Sequence, residues 1–153
     1  MDAKDCRILD VLQSDAAKAV SDIAEHVNLS TTACWKRIQK LEESGVIRKR
    51  VALLDAAKLH VGVTVFVSIK TNQHNTAWFT RFHEAVSAIP EVVEFYRMSG
   101  DVDYLLRVVV PDIAGYDGVY KRLIREIDLA DVSSSFAMEQ LKFTTELPLT
   151  YAL

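Results

Sequence analysis

The sequence predicts an α+β chain in two parts: a short N-terminal stretch of helices, then a longer stretch in which strands and helices alternate. Three observations carry that expectation. Apolar residues recur at helical spacing as far as about residue 45 and then switch to a period of two. The charge balance changes at the same place, with nine basic and eight acidic side chains in residues 1–50 but nine and thirteen in residues 51–153. The elements that can be read beyond residue 60 follow the order β-α-β-β-α-β.

The N-terminal part reads as three helices. Ile8, Leu9 and Leu12 form one apolar stripe, Val20, Ile23, Ala24 and Val27 a second, and Cys34, Ile38 and Leu41 a third. Ser30 is a natural N-cap for the third helix, because its hydroxyl can accept from a free N–H of the first turn, and Gly45 is a natural stop. Only Asn28 and Leu29 separate the second helix from the third. Residues 46–54 then read as extended chain and 55–60 as a linker.

Beyond the linker, Val61, Val63, Val65, Val67 and Ile69 alternate with Gly62, Thr64, Phe66, Ser68 and Lys70, the pattern of a strand with one buried face. Trp78, Phe79, Phe82, Val86 and Ile89 return to helical spacing until Pro90. Residues 92–98 and 104–110 read as two strands around the turn 99–103. Ile113, Tyr116, Tyr120, Leu123 and Ile127 mark another helix, and 132–143 a last strand. This is the ferredoxin-like arrangement, one antiparallel sheet with both helices on one face. The other face needs a cover that the chain does not supply, which predicts a partner, most simply a second copy. The expected boundaries are 1–50 for the helical domain, 51–60 for an extended linker, 61–143 for the α+β domain and 144–153 for a tail.

Half of the 153 residues are apolar and a quarter are charged, the balance of an ordinary globular protein. A formal net charge of −3 excludes a chain that coats nucleic acid by bulk charge, so any such face must be local. One segment qualifies: residues 34–50 hold Lys36, Arg37, Lys40, Arg48, Lys49 and Arg50 against Glu42 and Glu43. Cys6 and Cys34 show neither CxxC nor zinc-finger spacing and fit a reduced compartment. No run approaches the ~20 apolar residues of a membrane helix, and the N-terminus lacks the apolar core of a signal peptide. A cytoplasmic location with no membrane partner is expected.

Three helices with a tight turn before the third, followed by a basic extended segment, make a winged helix-turn-helix pattern. At about 100° per residue, Cys34, Ile38 and Leu41 face inward while Thr32, Lys36, Gln39 and Lys40 project from the opposite side. A hydroxyl, two ammonium groups and an amide on one face can bond phosphates and base edges in the major groove. Ser30 and Thr31 at the helix start and Arg37 on its flank complete the expected contacts. Arg48, Lys49 and Arg50, on an adjoining strand, would grip the backbone. Trp35, also on the flank, reads as a packing residue.

The run from Leu29 to Ile47, LSTTACWKRIQKLEESGVI, resembles the helix-turn-helix of the Lrp/AsnC family, the leucine-responsive or feast/famine transcription regulators. The likeness continues in Gly100-Asp101-Val102-Asp103-Tyr104 and in Ser133-Ser134-Ser135-Phe136-Ala137-Met138-Glu139, so it covers nearly the whole chain. The resemblance implies a sequence-specific regulator of amino-acid metabolism that binds double-stranded DNA. It implies a RAM/ACT-like C-terminal domain, homodimers formed through the C-terminal sheets, often assembled to tetramers or octamers, and a small amino acid bound between dimers. Carried over, the implied effector residues are Ser99, Gly100, Asp101, Asp103 and Tyr104 in the turn, and Ser134 with Ser135 in the last strand. The chemistry suits a zwitterion, since Gly100 exposes backbone N–H groups to a carboxylate and the Asp side chains can accept from an ammonium. The same residue types also suit any tight hairpin. Where relatives often carry Leu this chain has Trp35, and three serines stand where many show a spaced Thr pair.

Two other functions compete. An architectural DNA-binding protein of this fold would need no effector. A small enzyme would have to use Asp101 and Asp103 as acid/base or metal groups, with no second catalytic group at usable spacing. His83-Glu84 opens like a zinc-protease motif and fails at Ser87, where the second His is required. His26, His60, His74 and His83 share no ligand spacing and read as surface or linker residues. Neither enzyme activity, a cofactor nor a metal is expected.

Overall fold

The computed structural model describes residues 1–126 and 128–152, in two compact units: residues 1–53 with 142–152, and residues 54–141.

The first unit holds α1 (Ala3–Ser14), α2 (Val20–His26) and α3 (Thr31–Glu43). Asp2 opens α1 with a capping box: its carboxylate accepts from the Lys4 and Asp5 N–H groups while Asp5 accepts from the N–H of Asp2. Ser30 caps α3 as expected, accepting from the Ala33 N–H at 3.2 Å. After α3 the chain reverses at Gly45, whose φ of +75° is strained for any residue with a Cβ, and the Ile47 N–H returns to the Leu41 carbonyl. The three expected stripes interlock as one core, with Ile8, Ile23, Val27 and Cys34 fully buried. Lys4 reaches from α1 to donate to the carbonyls of Val27 and Asn28, at 2.8 and 3.0 Å. It thereby satisfies the end of α2 where Asn28 takes a φ of +54°.

Two features of this unit differ from the sequence reading. The adjoining strand does not form: residues 48–55 join no sheet, so Arg48, Lys49 and Arg50 sit on irregular chain. A strand needs a ladder partner, and the described residues of this unit contain no second strand. Among the described residues the helix-turn-helix therefore has no wing strand. Residues 142–152 return to α1, where the Gln13 amide accepts from the Leu147 N–H at 2.9 Å and donates to the Leu147 carbonyl at 3.2 Å. Leu149, which opens a short 3-10 turn (Leu149–Tyr151), packs on the helical core.

The second unit holds β1 (Val63–Lys70), α4 (Thr76–Ser87), β2 (Val92–Arg97), β3 (Tyr104–Val110), α5 (Ile113–Glu126) and β4 (Asp131–Phe136). All pairings are antiparallel, in the order β2-β3-β1-β4, the ferredoxin-like topology expected. Val65, Val67 and Ile69 of β1 lie opposite Val108, Leu106 and Tyr104 of β3 and meet Phe82 and Val86 of α4 in the core. Residues 55–60 are not slack linker but a turn, in which the Asp55 carboxylate accepts from the Ala57 and Lys58 N–H groups. Asn75 caps α4, accepting from the Trp78 N–H at 2.8 Å. Ile113 is 73% exposed, and Val119 fills the core instead, because the stripe of α5 is Tyr116, Val119, Tyr120 and Leu123. Ile127 lies outside the described residues. The last strand stops at Phe136 and not 143: Phe136 pairs with Val65, and beyond the bond from Ala137 to Thr64 the neighbouring strand has run out.

Phe82 sits at the centre of this core, stacked 4.8 Å from Trp78, 4.7 Å from Tyr104 and edge-on to Phe95 at 5.3 Å. Phe82→Ala is expected to destabilise the unit by about 3–5 kcal/mol. Urea unfolding followed by Trp78 fluorescence reads the loss directly, since Trp78 stacks on the removed ring.

Candidate nucleic-acid interface and effector site

On α3, Thr31, Thr32, Lys36 and Lys40 are exposed, Gln39 and Arg37 are half-buried, and Ser30 is occupied as the N-cap. The expected polar face exists as one continuous surface because the inward residues Cys34, Ile38 and Leu41 pin the helix rotation. Burial pushes the Cys34 thiol up, which keeps it a neutral core group. Trp35, expected to pack, is instead 49% exposed. It stands one residue off the buried stripe, too far round the helix to reach the core.

The six basic residues divide into two sets that the sequence does not distinguish. Arg37 Nη1 lies 2.7 Å from both Asp2 Oδ2 and Asp5 Oδ1, and Arg50 Nη2 lies 2.9 Å from Glu42 Oε1. Among the described residues, no acidic side chain pairs with Lys36, Lys40, Arg48 or Lys49. Arg37 thus ties α3 to the start of α1. The Asp5 backbone N–H and the Arg37 guanidinium hold the Asp2 carboxyl below its ordinary value. Lys36, Arg37 and Lys40 line a cavity of about 430 Å³ with Met1, Asp2 and Asp5.

In the second unit, Ser99, Gly100 and Asp101 form the exposed tip of the β2–β3 hairpin, with Gly100 at a φ of +109°. Asp103 is committed to the frame: its carboxylate accepts from the Thr71 N–H at 2.8 Å, and its own N–H donates to the Ile69 carbonyl. Tyr104 is buried, ringed by Trp78, Phe79, Phe82 and Phe95. Ser134 and Ser135 alternate across the sheet. Ser134 turns to the helix side and hydrogen-bonds the Tyr116 hydroxyl, whose pKa is raised by burial, while Ser135 pairs with Phe66 on the outer face. β4 and β3 are separated by β1, about 10 Å at two strand spacings. The seven residues therefore do not converge on one cluster within a single chain.

The outer sheet face carries Phe66, Tyr96, Leu105 and Val109 around a cross-strand pair, Arg107 Nη2 to Glu94 Oε1 at 2.7 Å, with the Tyr96 hydroxyl donating to Glu94 Oε2. Arg107 holds the Glu94 carboxyl below its ordinary range. A separate cavity of about 630 Å³ is lined by Arg81, Tyr120, Arg125, Asp128 and Asp131 among others, and none of the seven effector residues lines it. Sequence reasoning missed Lys4, Gln13 and Tyr116, each of which acts on a partner more than fifteen residues away. Among the described residues no group of three or more His, Cys, Asp or Glu could hold a metal, and no helix is long and apolar enough to cross a membrane.

A basic helix-turn-helix unit joined to a ferredoxin-like unit defines a DNA-binding transcription regulator. Comparison with known proteins makes the same assignment: residues 1–42 match the AsnC-type helix-turn-helix domain and residues 64–147 the Lrp/AsnC ligand binding domain. The chain belongs to the Lrp/AsnC family, whose members regulate transcription and are not enzymes. It is 49% identical over 150 residues to the DNA-binding transcriptional activator DecR of Escherichia coli K12, covering 97% of this chain and 99% of that one. It is 48% identical over 149 residues to the glutamate uptake regulatory protein of Zymomonas mobilis, covering 97% and 91%. An AsnC family transcriptional regulator from Agrobacterium tumefaciens superposes with a TM-score of 0.97 at 66% identity over the full length of both chains. A Neisseria meningitidis regulator solved as its L-Met complex superposes at 0.95 with 30% identity, covering 100% and 99%.

The ion pairs of Arg37 predict an acid-sensitive helix-turn-helix. A carboxyl whose folded pKa lies below its ordinary value of 3.8 stabilises the fold above that value, and the contribution is lost as the pH falls through the lowered pKa. Arg37→Leu is expected to lower Tm modestly at neutral pH and to flatten the acid-side decline of Tm relative to wild type. Thermal melts by circular dichroism across the acid range check this; parallel curves would show that the pair adds nothing.

Proposed function

We propose that the chain is an amino-acid-responsive regulator of amino-acid metabolism, acting in the cytoplasm as a homodimer that assembles further to tetramers or octamers. The observation that carries the reading is the division of the basic residues: among the described residues Lys36 and Lys40 on α3, and Arg48 and Lys49 shortly after it, are left without acidic partners in a chain of net charge −3. These four contact the phosphates, with Ser30, Thr31, Thr32 and Gln39 toward the groove, while Arg37 and Arg50 fix the position of the surface. Residues 1–50 are the DNA-reading domain, 51–60 a connector and 61–141 the sensing domain, while 142–152 return to the helical unit.

The sensing reading rests on the exposed hairpin tip, on the ligand-binding family of residues 64–147 and on the L-Met complex of the Neisseria relative. The effector binds where Ser99, Gly100 and Asp101 meet a second copy, with Asp103 and Tyr104 holding the turn from behind. Ser134 and Ser135 contribute from β4 of a neighbouring chain, since their own chain holds them two strands from the turn. The outer sheet face, with Phe66, Leu105 and Val109, is the surface on which the second copy pairs.

The test combines DNA binding with ligand-dependent melting of the whole chain. A dimer that neutralises about 6–10 phosphates loses roughly 10³–10⁵ in affinity between about 50 and 200 mM salt, and Lys36→Ala is expected to lower the log–log salt slope by about one per site. A Lys36→Ala variant that binds as wild type does would move the interface off α3. An L-amino acid at about 100 times its Kd adds about 2.7 kcal/mol, a shift of several degrees in Tm. A shift that Asp101→Ala abolishes locates the effector at the turn; no shift with any amino acid transfers the weight to an architectural, effector-free role.

A further inference from the structure

Trp35 stands on α3 as an unusual residue for a surface. The residue is 49% exposed, and among the described residues it stacks on no aromatic side chain and its indole N–H donates to no acceptor. The other tryptophan, Trp78, shows the opposite behaviour: 8% exposed, stacked on Phe82 and donating to the Asp128 carbonyl. Trp35 lies one helical step from Thr31 on one side and from Gln39 on the other, so the three form a ridge along the helix. That ridge borders Lys36 and Lys40, whose ammonium groups have no acidic partner among the described residues. Fixed positive charge beside a bare apolar ring suits a partner that is polyanionic and also carries an apolar group. Of the base edges in the major groove, thymine presents such a group, its C5-methyl.

We propose that Trp35 is a specificity-determining residue that reads a thymine by apolar contact of its indole with the C5-methyl group, with Thr31 and Gln39 placed to bond the neighbouring base edges. This deepens the DNA-facing reading of α3 and rests on it. Lys36 and Lys40 supply affinity that does not depend on sequence, and Trp35 supplies discrimination. The two contributions are separable, because a methyl contact releases no counterion while a phosphate contact does.

The experiment uses the full chain and a duplex recovered by in vitro selection from a randomised pool. Each thymine of the protected stretch is replaced in turn by deoxyuridine, which removes the methyl and leaves every hydrogen-bonding group. For wild type, one replacement in each half-site is expected to weaken binding about fourfold, the worth of one buried methyl. For Trp35→Ala that replacement is expected to change nothing, while the salt slope stays at the wild-type value. Trp35→Phe, which keeps an aromatic face, is expected to retain part of the sensitivity and guards against a folding defect in the alanine variant. DNA should also shift and protect the Trp35 emission, read as the difference between wild type and Trp35→Phe. A wild type insensitive to every replacement, or equal sensitivity in Trp35→Ala, overturns the proposal. If Lys36→Ala still weakens binding in that case, the DNA-facing reading of α3 stands and only the role of Trp35 falls. If Lys36→Ala has no effect either, the reading of the helix fails as a whole.

Discussion

The second unit depends on β1. It is an interior strand of the sheet, paired with β3 on one side and with β4 on the other, and its inward residues Val65, Val67 and Ile69 are fully buried. Each such side chain contributes on the order of 1.5–3 kcal/mol relative to an exposed position. Because side chains alternate with a period of two, a slip of one residue would turn those three to the outer face and bring Thr64, Phe66 and Ser68 into the core. The register of β1 therefore dictates where every other residue of the unit stands. It aligns Ile69 with Tyr104 and so sets the hairpin tip beside the end of the strand, where Asp103 can grip the Thr71 N–H. It aligns Val67 with Ser134, which turns that serine toward Tyr116 and sends Ser133 and Ser135 to the other face.

The helical unit is organised by charge as much as by its core. A row of basic residues on a solvated helix would ordinarily be interchangeable. Here the arginine that lies nearest α1 is drawn into an ionic bridge with Asp2 and Asp5, and the lysines on either side of it are left bare. Arg suits the first task because its guanidinium is always charged and rich in N–H donors, so that Nη1 meets both carboxylates, and Lys suits the second as a mobile point charge. Lys4 performs a third task at the turn, closing the carbonyls that the end of α2 leaves open. The helix-turn-helix is thus fixed by contacts from the start of α1.

What the sequence makes legible is what neighbours in sequence decide. The apolar stripes of α1, α2 and α3, the alternation of β1, the N-cap at Ser30 and the bounds of β3 all follow from local periodicity or one-turn chemistry. The resemblance in residues 29–47 and 100–104 carries the family. What was not legible depends on residues brought together from far along the chain. Arg37 and its carboxylates are more than thirty positions apart, Gln13 and Leu147 more than one hundred and thirty. The end of β4 depends on where β1 begins, which no property of residues 137–143 encodes. Ile113 has the right spacing for the stripe of α5 but stands exposed at the first residue of the helix. Trp35 has the composition of a core residue, and only the rotation of α3, set by Cys34 and Ile38, places it outside.

The return of residues 142–152 to α1 makes the two units depend on the chain in different ways. The sensing unit is one uninterrupted stretch, residues 54–141, whereas the DNA-binding unit is built from residues 1–53 and 142–152. Removing residues 142–152 would strip the Gln13 clasp and the Leu149 plug from the helical unit and leave the stretch that forms the other unit whole.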